Sequence, residues 1–300
     1  MNRIVFLCFA VSLCGLFPAL AKEEAAVSIS DARIAAQQAE ENGKYKVAAK
    51  AYRKLAKDVT ERNVRAELYH REAFCWQRAK KSQKAFDRYK ELLQQYPLYI
   101  SYDEVVPQLR QLAQAFLDGN GTFLGLRDRD GAIEIYKLII LDTPTNKESP
   151  ADRTKLAKLL VDAGREEEAV NTYAELLKQY PENDDSRLEM AQLLMELSRK
   201  SDGDGSRLRA AERHAKIILE RNPEYKKREE AEALIEDARE REAQRLLNMA
   251  MFYLKRSHYR PEAARRYANE LILQFQGSAA AWEAKRLLDE HPALKERKDK

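Results

Sequence analysis

The chain has 300 residues, of which 34% are charged, with only 10 Gly and 9 Pro. Its 53 Lys and Arg against 49 Asp and Glu leave a formal charge of +4, and the two signs are interleaved. That describes solvated helix faces and excludes a nucleic-acid-binding stripe. Ala, Leu, Glu, Lys and Arg dominate, the composition of an all-helical protein.

The first residues carry an address. Met1-Asn2-Arg3 puts one positive charge ahead of an almost wholly apolar run, Ile4 to Leu16, and Ala19-Leu20-Ala21 before Lys22 has the small-x-small form of a cleavage site. The run has the length of a signal-peptide core and is too short for a membrane span. Residues 1–21 are therefore expected to be a cleavable export signal, leaving a net charge of +3 once Arg3 is removed. Cys8 and Cys14 leave with it, so Cys75 has no internal disulfide partner, and export without disulfides suits a bacterial periplasm. Leu13 stands where a lipidation signal before Cys14 would place a small residue, so an acyl anchor is not expected.

From Val27 onward the chain repeats itself. Val27 to Glu41 has apolar positions at helical spacing, with Ser30 or Asp31 available as a cap. Gly43-Lys44-Tyr45 supplies a turn, and Ala48, Tyr52 and Leu55 open a second helix. Unit two has Tyr69, Ala73 and Trp76, then Ala85, Tyr89, Leu92 and Pro97. Pro97 ends its helix by disfavouring α geometry at Tyr96. Unit three has Leu109, Leu112, Ala113 and Phe116, a swollen turn over 118–131, then Ala132, Tyr136, Ile139 and Pro144. Unit four is the most regular: Leu156, Ala157, Leu160, Gly164, Ala169, Tyr173, Leu176, Pro181. Unit five has Met190, Ala191 and Leu194, an expanded turn at 201–206, then Ala211, Ala215, Ile218 and Pro223.

Residues Lys226 to Arg256 contain no Gly or Pro and read as one long helix or two abutting ones. Unit six closes with Ala264, Ala268 and Leu271, where Pro261 adds a residue to the turn and leaves the register open by one. Ala279 to Glu290, with Trp282, Leu287 and Leu288, is an amphipathic cap over the last pair. The expected architecture is an all-α tetratricopeptide repeat right-handed superhelical solenoid of about six helix pairs with a C-terminal capping helix. Units one to five occupy residues 22–224, the last unit and cap 225–290, and a charged tail 291–300.

Chemistry is hard to place on this chain. His70, His214, His258 and His291 fall in separate units, and none belongs to a metal-ligating motif. No metal, no cofactor and no catalytic residue is expected, so the protein is read as not an enzyme. Cys75, between Phe74 and Trp76, is a buried structural thiol. The glycines of Gly119 to Gly125 have the wrong spacing for a dinucleotide loop, and Asp118-Gly119-Asn120 and Asp202-Gly203-Asp204 lack the glycine that closes a calcium loop. In such arrays the first helices of each pair line the concave surface. By register Arg33, Gln37, His70, Phe74, Gln77, Arg110, Gln114 and Lys158 project into it, with an exposed Phe74 suited to an extended peptide.

The last third carries a more specific likeness. Glu232-Ala-Leu-Ile-Glu-Asp-Ala-Arg239, Asn248-Met-Ala-Met-Phe-Tyr-Leu-Lys-Arg256, His258-Tyr259 and Ala263-Ala-Arg265 resemble the BamD-like (YfiO-type) outer-membrane protein assembly factors over residues 231–288. Phe275-Gln276 departs from that family's Tyr-Pro, and Ser257 from its Gly. The resemblance implies a periplasmic adaptor at the inner face of the outer membrane. Its partners would be a barrel-insertase subunit and unfolded outer-membrane protein clients. Clients would meet His70, Phe74 and Gln77, and the insertase subunit would meet Lys255, Arg256, Tyr259, Arg265 and Arg266. Membrane association would be indirect, through the partner. The alternative is an adaptor of another envelope complex, similar to the Tol-Pal coordinator proteins, or a generic interaction scaffold.

Overall fold

A computed structural model describes residues 17–142, 149–200 and 205–294, with side chains from Ile29 onward apart from Phe123. Most of the expected export signal with Cys8 and Cys14, Pro144, most of the 201–206 turn and most of the charged tail lie outside the described residues. Thirteen α-helices and no strand are found among the described residues. They are α1 Phe17–Glu41, α2 Tyr45–Asp58, α3 Arg62–Arg78, α4 Ser82–Gln95, α5 Tyr102–Leu117, α6 Arg129–Asp142, α7 Ser149–Asp162, α8 Glu166–Gln179, α9 Asp184–Lys200, α10 Ser206–Arg221, α11 Arg228–Phe252, α12 Pro261–Gln274 and α13 Ala279–Glu290. The chain forms two compact units, one up to Asp152 and one from Arg153. From α1 to α6 in the first unit and from α8 to α13 in the second, each helix packs on the next in sequence, giving the all-α helix-pair repeat that the sequence predicts.

The repeated Ala–Tyr–Leu pattern is the packing half of each pair. Ala48, Tyr52 and Leu55 are buried, as are Ala85, Tyr89 and Leu92, then Ala132, Tyr136 and Ile139, then Ala169, Tyr173 and Leu176. Alanine lets the helix backbones close up, and each buried Leu or Ile contributes about 2 kcal/mol of apolar burial. The third residue has a second task. Its carbonyl accepts the last amide of the helix, from Val59 to Leu55, Tyr96 to Leu92, Tyr180 to Leu176, Asn222 to Ile218 and Phe275 to Leu271.

The turns inside the pairs are equally regular. After α1, the Gly43 amide donates to Glu40 and the Lys44 amide to Ala39, closing the helix with a left-handed residue. The same two bonds follow α7, from Gly164 to Val161 and Arg165 to Leu160, and follow α3, from Lys80 to Gln77 and Lys81 to Trp76. In α3 the left-handed residue is Lys80, at φ 53°, so this turn carries strain that glycine would not.

In the swollen turn after α5, the Phe116 carbonyl accepts both the Gly119 amide at 3.2 Å and the Asp128 amide at 2.9 Å. The intervening loop lies on the α3–α4 turn, where Ser82 Oγ donates to the Asn120 carbonyl at 2.6 Å. Asp128 then accepts the Gly131 amide at 2.8 Å and starts α6.

Two local expectations are corrected and one open alternative is resolved. Ser30 and Asp31 cap nothing, because α1 begins at Phe17 and runs through both without a break. Residues 228–252 form one helix, and the register of unit six is settled by Pro261 at the start of α12, which leaves Ala264, Ala268 and Leu271 fully buried. In α13 the buried side is Ala280, Ala281 and Ala284, while Trp282 is 65% exposed with Lys285 Nζ 4.7 Å from its ring centroid. The apolar face of this cap is built of small residues, and Leu287 and Leu288 pack at the margin of the α11–α12 core.

Candidate protein-binding faces

In the first unit, the predicted groove residues of α1, α3 and α5 are tied into a set of rungs between successive first helices. Arg33 Nη2 meets Glu67 Oε1 at 2.5 Å, 34 residues on, and His70 Nδ1 lies 3.9 Å from Glu104 Oε2. Arg110 grips Asp152 with Nε and Nη2 at 2.8 and 2.7 Å, 42 residues on, the longer interval containing the swollen turn. The amides are engaged too: Gln37 with Glu41 at 3.1 Å, Gln114 with Asp118 at 2.8 Å, and Gln77 with the Gln108 carbonyl and the Tyr89 hydroxyl, each at 3.4 Å. Phe74 is half-buried, not exposed as expected, because α3 also packs against α5. Arg33, His70, Gln77 and Arg110 tie neighbouring first helices together, while Gln37 and Gln114 bond along their own helices, and the Arg33–Glu67 and Arg110–Asp152 pairs neutralise themselves.

The rungs differ in weight. The Arg33–Glu67 pair is open to water on both sides and contributes under about 1 kcal/mol. Asp152 is buried at 4% exposure, so the bidentate Arg110 fork is the stronger tie. Burial lowers the pKa of His70, against the opposing pull of Glu104, which weakens this rung as an ion pair. Burial lifts the Cys75 thiol to about 12, which fits the structural thiol that the sequence predicts.

In the second unit Lys158 repeats the rung, its Nζ 2.8 Å from Glu189 Oε1, while the Tyr173 hydroxyl donates to Glu189 Oε2 at 2.9 Å. Here the first-helix face opens into two cavities. One, of about 420 Å³, lies between α7 and α9 and is lined by Lys158, Val161, Asp162, Glu189 and Leu193 among others. The other, of about 480 Å³, lies between α9 and α11 and includes Met195, Arg199, Glu230, Leu234 and Asp237. Gln192 and Glu196 line both. Of the eight residues expected in a groove, Lys158 is therefore the one that lines these cavities. The acidic residues around it were not singled out from sequence, although Asp162, Glu196 and Glu230 recur at the repeat interval and carry that signal.

The residues expected to meet an insertase subunit come together at the end of α11. Lys255, Arg256 and Tyr259 are exposed on the turn between α11 and α12, and the Arg260 amide closes that turn onto the Tyr253 carbonyl at 2.8 Å. Behind it the Phe252 and His258 rings lie 4.2 Å apart, and Tyr253 stacks on Tyr267 at 5.8 Å. Arg266 extends over the Tyr267 ring, 5.3 Å from its centroid, and Arg265 is half-buried beside it on α12. Among the described residues no cluster of His, Cys, Asp and Glu has metal-binding geometry, and no helix is long and apolar enough to cross a membrane.

Residues 67–99 and 150–193 match family models described as tetratricopeptide repeat. No curated protein matches the chain. Among solved structures, the chain is similar to Pseudomonas aeruginosa pilF, at 13% identity and TM-score 0.30, covering 88% of this chain and 99% of that one. It is also similar to the Rap conjugation gene regulator of plasmid pLS20 in complex with the Phr* peptide, at 12% identity and TM-score 0.32, covering 96% and 83%. The TPR2AB domain of yeast Sti1 in its pHSP90 complex is similar at 13% identity and TM-score 0.28, covering 87% and 97%. The pairs α3–α4 and α7–α8, whose buried Ala–Tyr–Leu faces and helix-closing turns repeat along the chain, are thus tetratricopeptide repeats in sequence as well as in build.

Proposed function

We propose that the protein is a non-catalytic scaffold that holds other polypeptides, exported to the periplasm and acting at the inner face of the outer membrane in β-barrel protein assembly, as BamD-like proteins do. The scaffold reading is carried by the first-helix face of the second unit, where α7, α9 and α11 form two adjoining cavities on packed helices. A face that is formed in advance gives up little of its own entropy when an extended segment docks. Support for the assembly reading comes from the sequence likeness over residues 231–288, together with the exposed Lys255, Arg256 and Tyr259 on one turn. Residues 1–21 support export, and membrane residence would follow from the partner.

Photo-crosslinking residues placed at Tyr259 and at Gln192 in living cells test both levels. A barrel-insertase subunit captured from position 259, with loss of outer-membrane barrels on depletion of the protein, is the expected result. Adducts with other polypeptides and unchanged barrel levels would refute the assembly role and leave the scaffold. Absence of any polypeptide adduct at both positions refutes the scaffold as well.

A further inference from the structure

We infer that the first-helix face of the second unit receives a basic, extended segment of its partner, with Lys or Arg about every third residue. This deepens the scaffold reading and rests on it. The two cavities share Gln192 and Glu196, so they form one groove across α7, α9 and α11. Its floor is apolar, with Leu193, Met195 and Leu234 each more than nine-tenths buried. Its ionisable lining has five acids and two bases, on a chain whose net charge is +4.

The internal ties do not cancel this charge. Lys158 is taken up by Glu189 at 2.8 Å, and Asp237 by Arg241 at 2.6 Å. Among the described residues Asp162 forms no ion pair, Glu196 feels Lys200 one turn along α9 only through space, and Glu230 accepts a neutral donor, the Gln192 amide at 3.4 Å. Arg199 lines the α9–α11 cavity beside Glu196 and Glu230 and offsets one of the three remaining negative charges, so the lining stays negative. What remains is one carboxylate on each of three successive first helices, Asp162, Glu196 and Glu230, above an apolar floor that concentrates their field. Neighbouring helices lie about 10 Å apart, and an extended chain advances about 3.4 Å per residue. Cations about three residues apart therefore meet the carboxylates in turn, while the side chains between them rest on Leu193 and Leu234. A strand of nucleic acid or an acidic tail would be repelled from the same surface.

The test is fluorescence anisotropy on the full chain with labelled (Lys-Ser-Ala)₄ and (Glu-Ser-Ala)₄ peptides, across a range of NaCl concentrations. The variant is Asp162→Asn/Glu196→Gln/Glu230→Gln, whose near-isosteric surface changes leave the urea midpoint in place. The lysine peptide is expected to bind the parent protein with an affinity that falls as salt rises, and to bind the variant at least about tenfold more weakly. The glutamate peptide is expected not to bind. Equal affinity for both peptides, or an unweakened variant, overturns the inference. So does a change in oligomeric state of the variant by sedimentation, which would make a second copy of the chain the occupant. If the basic preference fails while position 192 still crosslinks to polypeptides in cells, only this inference falls. If both fail, the scaffold reading of this face falls with it.

Discussion

Replacing Gly121 by alanine asks whether the swollen turn between α5 and α6 is docked or merely present. Gly121 has φ +76°, and a Cβ there would lie 2.5 Å from the Lys80 carbonyl oxygen and 2.7 Å from its carbon, both backbone atoms. Gly43, in the same unit, has φ +71° with nothing within 4 Å of its Cβ position, so it is the matched control. At Gly43 the left-handed conformation costs alanine about 1–2 kcal/mol, of which about 0.4–1 kcal/mol is offset by a stiffer unfolded chain. The net loss is about 1 kcal/mol. Gly121→Ala carries that cost and must also lift the loop, giving up the Ser82–Asn120 hydrogen bond, about 1 kcal/mol, and adding about 1–3 kcal/mol of overpacking strain. The expected loss is about 3–5 kcal/mol, read as the shift in urea midpoint at constant m-value. Lys80→Gly in the same background should go the other way by about 1 kcal/mol, by relieving the φ 53° strain. A Gly121→Ala variant no less stable than Gly43→Ala would refute the docked loop.

Three further outcomes follow from the same structure. Glu242, 5% exposed, receives Arg209 at 2.6 Å and Arg245 at 2.7 and 2.9 Å, so Glu242→Gln should cost about 3 kcal/mol, while Glu67→Gln in its open pair should cost under about 1 kcal/mol; equal urea midpoints for the two would contradict this. Burial lowers the pKa of both His70 and His214, the latter also facing Arg187, so the unfolded chain takes up protons before the folded one does. Stability should therefore be steady above about pH 6.5, fall as pH drops through the histidine range, and level off below the folded-state values; in a His214→Asn variant the fall should be shallower, and an unchanged slope would discount that residue. Cys75, with its thiol raised to about 12 and no exposure, should resist Ellman's reagent in a Cys8→Ser/Cys14→Ser background until urea unfolds the chain.

The frame was legible because its determinants are local. Ala85, Tyr89 and Leu92 lie within one helix, and their spacing alone announces a buried stripe, as does the Gly that closes α1 or α7. The site was less legible because its determinants are one repeat apart. Arg33, His70, Arg110 and Lys158 lie on first helices, but their acidic partners lie on the next first helix, and a basic residue read without its partner suggests a free charge. Aligning the repeats and asking which acid sits one period after each base would have exposed the rungs. It would also have shown Asp162, Glu196 and Glu230 as the acids left over. Trp282 misled for a different reason: a large apolar residue usually marks the buried side of a helix, yet α13 buries its alanines because close backbone approach gains more contact there.

The carbonyl of Phe116 is where the loop of residues 119–127 both leaves the repeat and returns to it. A segment whose two ends meet on one atom is, for the rest of the chain, a removable module. The helix pair on either side keeps its spacing whether nine residues or three connect it, provided Asp128 is still there to start α6. The length of this connection can therefore drift, or be engineered to carry an epitope or a binding peptide, with the cost confined to the seat on Lys80 and Ser82.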